Sequence, residues 1–215
     1  MSKDANFFHG IVCDNQDPDG LGRIKVSLPE LEGGADTQSD WLPVLTPFAG
    51  DSIGAFCLPE LEDVVVVMFF DKELEKGVVL GSMYNQNIKP PVTEENSDAD
   101  LNDDGNNSLH FVRSRSGLRI ILDDTDGEEK IQLLSPDAKT RIEMLIGDEL
   151  INIETDKDLS INAKGVISFD AEEIEFKAEK AFSLEAENIK QESSKDITIE
   201  GSNSISLEGQ SIKLN

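Results

Sequence analysis

The chain has 215 residues, enough for one or two domains, and carries 44 acidic against 19 basic side chains for a formal net charge of −25. That balance excludes nucleic acid and anionic lipid headgroups as partners, because phosphate binding needs clustered Lys and Arg. The longest apolar run, Val64 to Phe70, is strand length, well short of the 18 apolar residues of a membrane-spanning helix.

The start, Met1-Ser2-Lys3-Asp4-Ala5-Asn6, has neither the basic opening nor the apolar core of a secretory signal, so synthesis and folding in a cytoplasm are expected. Residues 1–85 then read as a compact all-β domain. Its candidate strands are Phe7 to Cys13, Gly22 to Leu28, Trp41 to Leu45, Ala55 to Leu58, Val64 to Phe70 and Gly77 to Gly81. Turn signals separate them: Asp17-Pro18-Asp19-Gly20, Leu28-Pro29, Glu32-Gly33-Gly34, Ala49-Gly50 and Leu58-Pro59. Arg23 to Leu28 alternates polar with apolar, as a half-buried strand must. Five or six short strands in some 80 residues suit a small closed barrel such as an OB-fold. Trp41 and Tyr84 are the sole Trp and Tyr, too few for a stacking platform, so the barrel reads as scaffold. Cys13 and Cys57 lie in apolar contexts and read as buried free thiols.

Residues 86–112 read as an acidic linker. Within it, a calcium loop counted from Asp98 fails, because Asp103 and Leu109 stand where Gly and Glu are required. Residues 113–150 read as transition strands. No nucleophile elbow, zinc-protease helix or phosphate-binding glycine loop occurs anywhere, which argues against an enzyme.

From residue 151 to 215 the chain repeats itself. Apolar pairs one residue apart recur every seven or eight residues: Ile151/Ile153, Leu159/Ile161, Ile167/Phe169, Ile174/Phe176, Phe182/Leu184, Ile197/Ile199, Ile205/Leu207 and Ile212/Leu214. Only the repeat at Ile189 is imperfect, with Gln191 as its second member. An i, i+2 apolar pair is one short strand with one buried face. So short a period leaves no room for a helix or hairpin, and each repeat must turn a corner into another strand, which is a solenoid. An antiparallel sheet would need Asn-Gly or Asp-Gly hairpins, and Gly165, Gly201 and Gly209 lie in other contexts. Burying one Ile or Leu gains roughly 1.5–3 kcal/mol, whereas ordering each residue costs roughly 1–2 kcal/mol. Two apolar residues per repeat are too thin a core for one chain. The reading is therefore a triple-stranded β-helix of three intertwined chains, with the first seven pairs as trimer core. At about 4.7 Å per strand, nine repeats span about 40 Å.

The ordered set of motifs resembles a known family. Phe8-His9-Gly10-Ile11-Val12, Asp14 through Val26, Trp41-Leu42-Pro43-Val44, Thr46 to Gly50, Gly54 to Glu60 and Val78 to Asn85 resemble the barrel of phage baseplate assembly protein V and VgrG-type spike proteins. Arg113 to Gly117 and Asp123 to Ile131 resemble the passage from barrel to rod in the same proteins. The resemblance implies an all-β homotrimer with an OB-fold barrel followed by the triple-stranded β-helix. It implies a non-enzymatic central spike of a contractile injection machine, driven through a target-cell envelope. Expected partners are two further copies, a baseplate hub protein at the barrel end and a PAAR-type tip protein at Ile212, Lys213, Leu214 and Asn215. The alternatives are a type VI secretion-like spike carrying effectors, or a trimeric tailspike adhesin or polysaccharide-degrading enzyme. Larger relatives carry a hub domain before the barrel, so here the hub is expected as a separate protein. Some relatives end in a metal-binding His-x-His, and this chain has only His9 and His110. No cofactor or metal is expected; structural ions on the trimer axis are left open.

Overall fold

The computed structural model describes residues 6–70, 76–91 and 107–213. The chain divides into two compact units, Met1–Asp158 and Leu159–Asn215.

The first unit opens with the barrel. Strands β1 (Asn6–Asp14), β2 (Arg23–Ser27), β3 (Leu42–Pro43), β6 (Val64–Phe69) and β7 (Gly77–Ser82) form one sheet in the order β3-β2-β1-β6-β7. A parallel bridge between Val44 and Val79 joins the two edges, and the Leu45 N–H donates to the Val79 carbonyl at 2.8 Å. The sheet thus nearly closes on itself, which is the five-stranded, partly open barrel of an OB-fold. Alternation explains the core. Val65, Val67 and Phe69 of β6 point inward to meet Val12, Ile24, Val26, Leu42 and Val79. Gly77 has to lack a side chain, since a Cβ there would sit 2.7 Å from the Met68 carbonyl oxygen and 2.8 Å from the Phe69 ring.

Two expectations need correction. Ala55 to Leu58 is not a strand: no ladder forms there, and Phe56 is 78% exposed. Instead the Ala49-Gly50 turn signal belongs to a small hairpin, β4 (Ala49–Gly50) with β5 (Ile53–Gly54). Both thiols are free, but Cys57 is exposed and Cys13 only partly buried.

A second sheet follows, an antiparallel meander in the order β12-β11-β10-β9-β8. Its strands are β8 (Leu109–Arg113), β9 (Arg119–Asp123), β10 (Lys130–Leu134), β11 (Arg141–Leu145) and β12 (Leu150–Glu154). So the end of the expected linker, 109–112, is strand, while the failed calcium loop falls largely outside the described residues. The passage 113–150 holds three complete strands, β9 to β11.

In the second unit the described residues form no strand ladder. The backbone bends at 164–165, 172, 179–180, 187, 194–195, 202–203 and 210, once every seven or eight residues. Each bend falls between two apolar positions of the repeat.

Candidate functional site

The turn 17–20 is fixed from within. The Asp17 carboxylate, whose side chain is 4% exposed, accepts backbone N–H bonds from Asp19, Leu21 and Arg23. It also holds the Arg23 guanidinium through Nε at 3.0 Å and Nη2 at 2.6 Å. The Arg23 hydrogen bonds keep the Asp17 carboxyl well below the usual carboxylate range, against the opposing effect of burial. Trp41 is occupied by the chain itself, with the Lys25 ammonium 5.1 Å above its ring. Among the described residues, no group of His, Cys, Asp and Glu is placed to hold a metal ion. No helix among them is long and apolar enough to cross a membrane.

The second sheet is where exposure departs from expectation. An antiparallel sheet usually turns its apolar face inward and its polar face to water. Here the more buried face mixes polar side chains, Arg119, Asp123, Gln132 and Glu143, with Ile121 and Leu134. Gln132 donates to Glu143 at 2.7 Å, Arg141 reaches Glu154 at 2.6 Å, and Lys130 lies 3.3 Å from Asp123. Burial pushes the Asp123 carboxyl up, but hydrogen bonds from Thr125 and the Lys130 charge outweigh it and leave the pKa lowered. The other face is apolar and open. Cross-strand register lines it up in two rows. One runs Val112, Ile120, Leu133, Ile142, Ile153. The other runs His110, Leu122, Ile131, Met144, Ile151. The nine apolar members are 40–67% exposed. A continuous apolar surface of this kind is an interaction surface rather than ordinary protein exterior.

The repeat residues behave in the same way. Leu159, Ile161, Ile167, Phe169, Ile174, Phe176, Phe182, Leu184, Ile197, Ile199, Ile205, Leu207 and Ile212 are 47–64% exposed. Three of them touch: the Phe169 and Phe176 rings lie 6.1 Å apart edge-on, and Phe176 and Phe182 stack at 5.9 Å. The first expected pair, Ile151/Ile153, sits on β12 of the second sheet, in the first unit. At the far end Ile212 and Lys213 are exposed, while Leu214 and Asn215 lie outside the described residues. Sequence reading passed over the rows between 112 and 144. The signal was present, since Ile120/Leu122, Ile131/Leu133 and Ile142/Met144 are the same i, i+2 pairs at steps of eleven.

Residues 8–84 match the family model of the type VI secretion system/phage-baseplate injector OB domain. The matched stretch coincides with β1 to β7. The chain carries an injector OB domain of the baseplate protein V and VgrG type. A spike-related structural role in a baseplate follows from that domain. The second sheet and the repeats lie outside the matched residues.

Proposed function

We propose that the chain is the central spike of a contractile injection machine, a homotrimer that contraction drives through a target-cell envelope. The observation that carries this reading is the run of open apolar pairs after an injector OB domain, from Ile120 to Ile212. In the second unit these pairs have neither a buried core nor a strand partner among the described residues. Two further copies supply both, each strand pairing with its neighbours so that no long edge stays open. The regular bends at seven- or eight-residue intervals are the corners such winding needs. A closed, intertwined trimer bears axial load without unravelling, and its heavy negative charge keeps rods from associating side by side.

In this reading the barrel docks on a baseplate hub protein. The sheet β8–β12 leads into the rod, and a PAAR-type tip protein caps Ile212, Lys213, Leu214 and Asn215. The work is mechanical and no catalysis is assigned. The test is to locate the chain in intact particles with a labelled antibody under the electron microscope. Label at the baseplate, on the axis, supports the spike. Label on peripheral fibres favours a tailspike instead.

A further inference from the structure

We propose that the apolar face of the β8–β12 sheet is the first self-association surface of the chain. Three copies meet on it, and it fixes the register in which the repeats after Asp158 wind. The inference rests on the trimeric reading above and adds where and in what order the trimer forms.

Three observations point to a second copy of this chain as the occupant. The first is width. The face is two residues wide on each strand, as in Ile120/Leu122, Ile131/Leu133 and Ile142/Met144, and every repeat beyond Asp158 except that at Ile189 presents the same two-residue width. The second is continuity along the chain. The pairs continue without a break through β12 into the repeats, their steps shortening from eleven to eight. The third is charge. The two rows contain no acidic or basic residue apart from His110, in a chain of net charge −25. Copies that repel elsewhere meet there without burying like charges.

The order of assembly follows from hydrogen bonding. The sheet has complete ladders within one chain, β8 to β12. The described repeats have none. So the sheet forms in a single chain, while a rod strand forms only where other chains are already aligned. Three separate chains with nearly equivalent repeats can pair one repeat out of step. A preformed sheet docked three ways removes that freedom.

The experiment uses the full chain. Wild type, Leu133→Asp and Ile205→Asp are compared by sedimentation, with Trp41 fluorescence confirming that the barrel is folded. The expected result is a monomer for Leu133→Asp and a trimer, loosened only in its last repeats, for Ile205→Asp. Refolding followed by pulsed hydrogen exchange keeps the proposal testable should Leu133→Asp disrupt the sheet itself. Amides of 119–154 are expected to gain protection at a rate independent of concentration. Those of 159–213 are expected to follow in a concentration-dependent phase. A trimeric wild type whose Leu133→Asp form trimerises equally well overturns this inference and leaves the trimeric reading standing. Protection of 159–213 before 119–154 does the same. A monomeric wild type overturns both.

Discussion

Ile197→Asp and Thr198→Asp place the same carboxylate one residue apart on opposite faces of one repeat. Ile197 is 55% exposed in the single chain, so in the proposed trimer about half its surface is buried by other copies. At roughly 1.5–3 kcal/mol for full burial, the lost apolar contact is about 1 kcal/mol per chain. The carboxyl costs more. Kept neutral in an apolar interior at pH 7, against an unperturbed pKa near 3.9, it costs about 4 kcal/mol per chain. A threefold axis makes both costs three times larger, about 15 kcal/mol per trimer if the repeat stays intact. That exceeds what one repeat contributes, so the rod is expected to open locally around 189–207. The expected assay result is a lower denaturant midpoint and new protease cleavage in that stretch. The pH dependence has a definite sign. Burial raises the introduced carboxyl's folded-state pKa above its unfolded value, so the defect is full at neutral pH and shrinks as pH falls toward about 4. Thr198→Asp faces water and is expected to change the midpoint little. Equal damage from both variants, or no relief of Ile197→Asp in acid, refutes the assigned register.

Asp17→Asn is expected to lower the barrel's thermal midpoint at neutral pH, followed through Trp41 emission, because Arg23 loses the more buried of its two carboxylate partners and keeps only the exposed Asp19. Since Asp17 titrates well below its unfolded value, its contribution is complete above about pH 4 and fades as pH falls further. The gap between wild type and variant is therefore expected to close in acid; a gap constant down to pH 2 contradicts the pairing. Cys57 is expected to react with a thiol reagent at once in the native protein, and Cys13 slowly, because Cys13 is partly buried and burial raises its thiol pKa. Two equally fast thiols refute that placement. Deleting 209–215 is expected to leave the trimer intact and abolish co-purification with a PAAR-type tip; full binding by the truncated trimer places the tip elsewhere.

Much of the barrel was legible because its strands carry their own pattern. Val64 to Phe70 is an unbroken apolar run of strand length, and Asp17-Pro18-Asp19-Gly20 announces its turn. Ala55 to Leu58 misled because apolar residues alone do not make a strand: Phe56 and its neighbours face outward with no ladder partner. Glu32-Gly33-Gly34 was correctly a turn, whereas Ala49-Gly50 pairs across a tight hairpin that its composition disguised. The rows of the second sheet escaped notice because their eleven-residue spacing, set by longer turns, broke the rhythm of the repeats. The pairs beyond Asp158 were legible as a pattern, and their apolar members stay exposed among the described residues.

The central claim is that these open pairs belong to a trimer, and the mass of the native protein in solution tests it most directly. Light scattering on the purified chain, at micromolar concentration and moderate salt to screen its charge, is expected to give about three times 23.6 kDa. A mass of one chain under those conditions contradicts the intertwined rod.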